Sequence, residues 1–117
     1  MNPEVSIIVP IYNEVRIIES FISKLFDTFI NINAKYIFID DGSTDGTKEF
    51  LEQNFNSILK KKNCELISLD KNKGKGFAVR QGILKIEGTH SIFIDSDLEY
   101  DPKDALDLYN QVKNNKN

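Results

Sequence analysis

The sequence is poor in residues that carry thiol or imidazole chemistry. Cys64 is its one cysteine, so a disulfide within the chain is excluded. An apolar run follows Cys64 without a neighbouring histidine, which favours a small half-buried side chain over a nucleophile or metal ligand. The one histidine, His90, stands apart from the acidic residues, and we assign it no functional role.

Long apolar runs and a basic surplus are also absent. No run approaches the roughly 20 residues that cross a bilayer, and the N-terminus does not resemble a signal peptide. We therefore expect no transmembrane segment and a cytoplasmic protein, with the cytoplasmic face of a membrane as the alternative location. The net charge of -3 argues against a nucleic-acid partner, which needs a concentrated basic face. It is compatible with an anionic ligand, because backbone amides and a metal ion can hold phosphate.

What the chain does have is alternating strand and helix patterns. Its 117 residues, 40% of them hydrophobic, suit one domain over residues 1–117 with a real core. The predicted strands are residues 5–10, 36–39, 65–69 and 91–94. The predicted helices begin at Asn13–Glu14, near Gly46, at Gly74–Gly76 and at Asp101–Pro102. The second is predicted to run to about Leu59 with Asp45 or Thr44 as its cap, and the third to stop at Gly88. Four such units predict an α/β fold with a doubly wound, mostly parallel sheet.

Acidic residues follow the fourth predicted strand. Asp95 and Asp97 leave it two positions apart, and Glu99 adds a further oxygen donor. Oxygen ligands suit Mg²⁺ or Mn²⁺, which share their remaining positions with water and phosphate oxygens. Because ligands of parallel sheets bind beyond the carboxyl ends of the strands, this placement predicts a metal site.

The ends of the first two strands carry a second set of candidates. Asp40 and Asp41 open the acidic, glycine-containing run 40–47, where a carboxylate can accept hydrogen bonds from a base or a ribose. Tyr12 follows the first strand, where it either packs or offers a face to a nucleobase. Glu14 is either a ribose contact or a favourable acid at a helix N-terminus. The basic loop 71–76 resembles a phosphate cradle without the full Walker pattern, with a solvated surface as the alternative.

Four segments resemble the family 2 glycosyltransferases of the GT-A fold. They read SIIVPIYNE (6–14), DDGSTDGT (40–47), NKGKGFAVRQGI (72–83) and DSDLEYDP (95–102), in the order and spacing of that family. The last two are most similar to polyprenyl-phosphate hexosyltransferases, the group with dolichol-phosphate mannosyl- and glucosyltransferases. The resemblance implies hexose transfer from a UDP- or GDP-linked sugar to an acceptor such as polyprenyl phosphate, within cell-envelope glycan synthesis.

The resemblance also implies roles for individual residues. Contacts with the nucleotide donor are expected from Pro10, Tyr12, Glu14, Ile39, Asp41, Asp95, Ser96 and Asp97, and metal ligation from Asp95, Asp97 and Glu99. Glu99 stands where relatives often carry Gln, and Ser96 where Ala is frequent. The metal, Mg²⁺ or Mn²⁺, would stabilise the departing nucleoside diphosphate. The catalytic base is not assigned, because members of the family continue well beyond the helix after these acids.

Other functions are compatible with parts of the pattern. The acceptor is a lipid phosphate or, alternatively, a saccharide, and a truncated fragment that binds nucleotide without catalysis is a further alternative. A sugar nucleotidyltransferase would need a glycine-rich basic loop directly after the first strand, where this chain has Ile11, Tyr12 and Asn13. A signalling receiver domain would pair its acids after the first strand, whereas here Asp40 and Asp41 follow the second.

Overall fold

The described residues form a four-stranded, all-parallel sheet with helices on both faces. The computed structural model describes residues 2–97 and 101–114. The strands are β1 (Val5–Ile11), β2 (Ala34–Asp40), β3 (Cys64–Ser68) and β4 (His90–Phe93), in the order β3-β2-β1-β4. The α/β class and the doubly wound parallel sheet expected from the sequence are confirmed.

The two central strands are buried on both faces. Every residue of β1 and of β2 is buried, including Lys35 and Asp40. A parallel sheet with helices on both faces requires such strands, which is why they read as continuous apolar runs rather than alternating ones. The edge strands β3 and β4 are shorter and only partly buried.

In the described part of the chain, four α-helices cover the sheet unequally. They are α1 (Ile18–Thr28), α2 (Thr47–Asn54), α3 (Lys75–Ile83) and α4 (Pro102–Asn114). Side chains from α1, α2 and α4 pack with Ile7, Val9 and Phe38 in the larger core. On the other face α3 contributes Ala78 to a smaller cluster with Ile8, Ile37 and Ile39.

Gly82 lets α3 lie close to the sheet. A Cβ at this position would come within 2.8 Å of both Ile39 Cδ1 and Ile8 Cγ2. Side chains in protein cores are already close-packed, so a methyl group here would displace the helix. The glycine therefore fixes the distance between the helix and the two central strands.

Several predicted boundaries were wrong by a few residues. The first helix begins at Ile18 rather than at Asn13–Glu14, because Asn13 adopts a left-handed φ of 52° and the chain turns before entering the helix. The second helix was predicted to run from about Gly46 to Leu59, but α2 ends at Asn54 and continues as a π-helical turn, Phe55–Leu59, and a 3₁₀ turn, Lys60–Lys62.

Gly88 has a different function from the helix stop that its position suggested. It lies five residues beyond the end of α3, with a φ of 92°. A Cβ there would come within 2.6 Å of the Pro3 carbonyl oxygen, so the glycine allows the link before β4 to pass the N-terminal segment. In the part of the chain that the structure describes, no helix is both long and apolar enough to span a bilayer.

Candidate functional site

A cleft opens where the sheet changes its winding direction. The helix after β1 lies on one face of the sheet and the helix that leads into β4 lies on the other, so the crevice forms beyond the carboxyl ends of these adjacent strands. The cleft has a volume of about 250 Å³. It is lined by Pro10, Ile11, Tyr12, Glu14, Asp41, Asn72, Gly74, Lys75, Asp95, Ser96 and Asp97.

The two loops after β1 and β2 are joined side by side. The main-chain N–H of Asn13 donates to Ser43 Oγ (2.9 Å), and the N–H of Thr44 donates back to Asn13 Oδ1 (2.8 Å). One residue on, the N–H of Glu14 donates to Thr47 Oγ1 (2.9 Å). These reciprocal bonds explain why Asn13 is held in a left-handed conformation, which asparagine tolerates better than most residues.

Asp45 serves both the helix and this junction. Its Oδ1 accepts a hydrogen bond from the N–H of Thr47, the first residue of α2, at 3.0 Å. Its Oδ2 accepts another from the N–H of Val15 at 3.2 Å. Because unpaired N–H groups at a helix start need an acceptor, Asp45 performs the capping role predicted for it, although Gly46 occupies the N-cap position itself.

Asp41 holds the loop between β3 and α3. Its side-chain oxygens accept hydrogen bonds from the main-chain N–H of Lys73 (2.8 Å) and of Gly74 (3.0 Å). The Asn72 amide donates a third, at 3.2 Å. A carboxylate with two oxygens has room for about four such bonds, so Asp41 can accept a further donor from a ligand.

Gly42 makes the approach of this loop possible. It has a φ of 70°, and a Cβ on it would lie 2.2 Å from the main-chain carbon of Lys71. Backbone cannot rotate away from such an overlap as a flexible side chain can. The glycine is therefore required for the contact between the end of β2 and the loop that Asp41 binds.

Asp40 is directed into the protein rather than into the cleft. It is fully buried, and its Oδ2 accepts a hydrogen bond from the N–H of Ser43 at 3.1 Å. Its Oδ1 has no hydrogen-bond partner among the described residues. Of the two adjacent acids, Asp40 thus stabilises the turn after β2, whereas Asp41 lines the cleft.

The cleft is lined by four carboxylates, those of Glu14, Asp41, Asp95 and Asp97. Burial raises the pKa of Glu14, and the neighbouring carboxylates of Asp97 and Asp45 raise it further. Asp95 is paired with a cation, since the Lys75 ammonium lies 2.5 Å from its Oδ1. Four carboxylates lining one crevice create a negative potential there, which favours a bound cation.

These residues suit a hard divalent cation that is only partly held by protein. Asp95 already pairs with one cationic group, and both aspartates supply oxygen ligands of the type that Mg²⁺ and Mn²⁺ prefer. Among residues 2–97 and 101–114, no group of three or more His, Cys, Asp or Glu side chains is arranged to hold a metal ion. Water or phosphate oxygens would have to complete the coordination, as is usual for Mg²⁺.

Most of the predicted site residues come together in this cleft. Seven of the nine line it: Pro10, Tyr12, Glu14, Asp41, Asp95, Ser96 and Asp97. Ile39 instead has a fully buried side chain in the cluster under α3. Glu99 lies outside the described residues. The individual ligand contacts of these residues stay predictions.

Sequence reasoning identified the basic loop but not what its residues do. Asn72 and Gly74 interact with Asp41, and Lys75 pairs with Asp95. The glycine-bearing basic run was the available signal, but it could not distinguish Lys75 from Lys73, whose ammonium instead lies 5.8 Å from the centre of the Phe77 ring. His90 packs edge-on against Tyr109, consistent with a structural role.

Comparison with known proteins gives a consistent family. The model of the family described as "Glycosyl transferase family 2" matches residues 6–117. A dolichyl-phosphate beta-glucosyltransferase of Saccharomyces cerevisiae is 34% identical over 102 residues, which cover 79% of this chain and 29% of the yeast protein. A dolichol-phosphate mannosyltransferase of Pyrococcus furiosus is 29% identical over 111 residues, covering 95% of this chain and 30% of that protein.

One further relative and one solved structure complete the comparison. A putative teichuronic acid biosynthesis glycosyltransferase of Bacillus subtilis is 31% identical over 106 residues, covering 91% of this chain and 40% of that protein. A mannosyltransferase from Pyrobaculum calidifontis, in complex with GDP-Man and Mn²⁺, superposes with a TM-score of 0.68 at 23% identity. The superposition covers 83% of this chain and 28% of that one. The chain thus spans about a third of the length of such relatives.

Proposed function

This chain belongs to glycosyl transferase family 2, and from that premise we propose that it binds the nucleotide-sugar donor of a hexosyltransferase whose acceptor is polyprenyl phosphate. The observation that carries the proposal is the composition of the cleft. An aromatic ring, Tyr12, and a carboxylate, Asp41, line it together with Asp95 and Asp97. A nucleotide sugar needs this combination, because it has an apolar base, hydrogen-bonding ribose and base edges, and a diphosphate.

The nucleoside would lie on the side of β1 and β2. Tyr12 has 45% of its surface exposed, which leaves a ring face available for stacking on a base. Asp41 can accept a donor from the base in addition to the loop that it already holds, and Glu14, which lines the same cleft, would contact the ribose hydroxyls. Pro10 and Ser96, which line the cleft, would complete these contacts, and the contact expected from Ile39 stays a prediction.

The diphosphate would lie beside β4. Asp95 and Asp97 would hold a Mg²⁺ or Mn²⁺ ion, with Glu99 as a further ligand, and the ion's chemistry would be to stabilise charge on the departing nucleoside diphosphate. The protein's own contribution is to fix two carboxylates at the rim of a rigid sheet, so that they need no rearrangement when charge develops. The solved mannosyltransferase with GDP-Man and Mn²⁺ has the same fold and supports this choice of metal.

The acceptor is proposed from the named relatives rather than from the cleft. Two of them are dolichyl- or dolichol-phosphate sugar transferases, which favours a lipid phosphate and action at a membrane surface. The teichuronic acid relative is the observation in favour of a saccharide acceptor, which is the second candidate. Both candidates share one donor site, so the binding test below applies to each.

Calorimetric titration with UDP and with GDP, in Mn²⁺ and in EDTA, tests the donor site. Asp97→Ala should abolish the Mn²⁺-dependent part of the affinity, and Asp97→Asn should be nearly as damaging, because a neutral amide replaces a charged ligand poorly. Asp107→Ala, at an exposed position of α4, is the matched control and should bind as the wild type does. Unchanged Mn²⁺-dependent affinity in both Asp97 variants would refute the metal assignment.

A further inference from the structure

Lys75 is the one cationic side chain among the described residues that line the cleft. Its ammonium lies 2.5 Å from Asp95 Oδ1, and the two side chains are 65% and 43% exposed. Such an exposed ion pair contributes little to the stability of the fold. Because Lys75 nevertheless lies beside Asp95 of the candidate metal site, a role of Lys75 in ligand binding is the better explanation for this pair.

The main chain, not the ion pair, fixes the position of Lys75. Asp41 binds the N–H groups of Lys73 and Gly74, and Gly74 then takes a φ of 95° to start α3 at Lys75. The helix itself is fixed on the sheet through Gly82. Lys75 is consequently held at the mouth of the cleft even when its side chain rotates away from Asp95.

Asp95 cannot serve the ammonium and a divalent cation equally well. An ammonium at hydrogen-bonding distance occupies the oxygen that a metal ion would need, and two cations at such a short distance repel each other. A bound diphosphate removes this competition for Asp95. It gives the flexible Lys75 side chain another anion to contact, and it gives the metal ion further oxygen ligands.

We propose that Lys75 is the counter-cation of Asp95 until a diphosphate binds. Lys75 then leaves the Asp95 carboxylate to the metal ion and contacts the phosphate itself. The inference rests on the proposed donor site and assigns a ligand-positioning residue within it. Its consequence is that metal and nucleotide bind cooperatively. The metal alone must compete with the ammonium, whereas the metal with a diphosphate does not. By linkage, each ligand strengthens the other by the same factor.

Electron paramagnetic resonance of free Mn²⁺ measures this coupling directly, without any sugar transfer. In Lys75→Met, the affinity for Mn²⁺ alone should rise by about two- to fivefold, the range expected for removing one exposed ion pair. The affinity for UDP or GDP in saturating Mn²⁺ should fall. The factor by which nucleotide strengthens Mn²⁺ binding should therefore shrink.

Lys73→Met is the matched control. It removes the same charge from the same loop, but its ammonium lies over the Phe77 ring rather than at Asp95. It should leave Mn²⁺ affinity and coupling close to wild type. An equal gain in both variants would mean that net charge alone is responsible, and no gain in Lys75→Met would equally overturn the proposal.

The two proposals fail in different ways. If Asp97→Ala abolishes Mn²⁺-dependent nucleotide binding while Lys75→Met leaves Mn²⁺ affinity and coupling unchanged, the donor site stands and the role of Lys75 is refuted. If Asp97→Ala changes nothing, the donor metal site is itself refuted. Because Lys75 is exposed, the substitution should not unfold the chain, and circular dichroism can verify this.

Discussion

The phenolic hydroxyl of Tyr109 donates a hydrogen bond of 2.5 Å to Glu4 Oε2, joining residues 105 positions apart. Glu4 immediately precedes β1 and Tyr109 lies in the middle of α4, so the bond fastens the last helix to the start of the first strand. Lys113, one turn further along α4, adds a weaker contact with the same carboxylate oxygen at 3.4 Å. These contacts therefore hold α4 at the N-terminal end of β1, which is the end of the strand remote from the cleft.

Replacing Tyr109 with Phe should destabilise the fold by about 1 kcal/mol, the usual effect of losing one such hydrogen bond. The effect should depend on pH. The Tyr109 bond, which is partly opposed by burial, lowers the pKa of Glu4 below its usual 4.5. A lowered carboxyl pKa stabilises the folded state above pH 4.5, and this stabilisation is lost as pH falls through the folded-state pKa.

Urea unfolding between pH 3 and pH 7 checks this prediction. The difference between wild type and Tyr109→Phe should be full at neutral pH and should shrink as the pH falls below about 4.5 and Glu4 becomes protonated. Glu4→Gln keeps an acceptor without a titrating group and should show a weaker pH dependence over the same range. A difference that is constant across the range would show that the bond acts independently of the charge on Glu4.

Gly42→Ala should lower the free energy of unfolding by ~2–4 kcal/mol, because the methyl group meets the main chain of Lys71 and the residue has a left-handed φ. Thermal and urea unfolding measure the loss. Gly76→Ala is the control, since that glycine lies within α3 and a Cβ there meets nothing within 4 Å. It should leave stability unchanged or raise it by up to about 1 kcal/mol. Equal effects of the two substitutions would contradict the close approach at Gly42.

Asp41→Ala should release the loop before α3. The amide hydrogens of Lys73 and Gly74 should exchange about tenfold faster, which corresponds to losing a hydrogen bond to a charged group. Asp70→Ala, an exposed position in the same connection, should leave their exchange unchanged. Hydrogen exchange followed by NMR resolves the two amides individually.

The same Asp41 variant also tests the expected contact with the base. Free nucleoside and whole nucleotide should both bind more weakly to Asp41→Ala, whereas Asp97→Ala should weaken mainly the diphosphate form. The reason is that Asp41 follows β2, whereas Asp97 follows β4, two strands away in the sheet. If nucleoside binding to Asp41→Ala is unchanged, the residue serves the loop alone.

Metal removal should abolish ligand stabilisation. At a hundredfold excess over its dissociation constant, a nucleotide that binds only the folded chain should add about 2.7 kcal/mol of stability. The melting temperature should therefore rise with UDP or GDP plus Mn²⁺ and return to its starting value on adding EDTA. If neither nucleotide changes the melting temperature of a chain shown to be folded, the chain does not bind the nucleotide, which contradicts the proposed donor site.

The strands and the acids at their ends could be predicted because their signals are local. Val5–Ile11 is a continuous apolar run, and Asp95 and Asp97 directly follow another. A buried parallel strand and a ligand site at its carboxyl end follow from such patterns without knowledge of the partners. Tyr12 and Glu14 were located by the same argument just beyond β1.

The contacts that arrange the site could not be predicted, because they join segments about 30 residues apart. The bonds from Asn13 to Ser43 and from Glu14 to Thr47 depend on the register of two loops, which no periodicity records. The helix after β1 was consequently started too early. The side chain of Ile39 packs on the face covered by α3, because residues of a strand alternate between the two faces, and its contact with the ligand stays a prediction.

The single helix on the second face has a consequence for how the protein opens. Within residues 2–97 and 101–114, only α3 covers that face, through a small cluster of Ala78 with Ile8, Ile37 and Ile39, whereas three helices share the large core opposite. Partial unfolding events are set by the contacts of each unit, so α3 should detach while the rest of the chain stays folded. Because the first residue of α3 is Lys75, a ligand that contacts both this helix and the end of β4 would hold α3 against the sheet. Ligand binding would then slow the local opening of this one helix before it measurably raised the melting temperature of the whole domain.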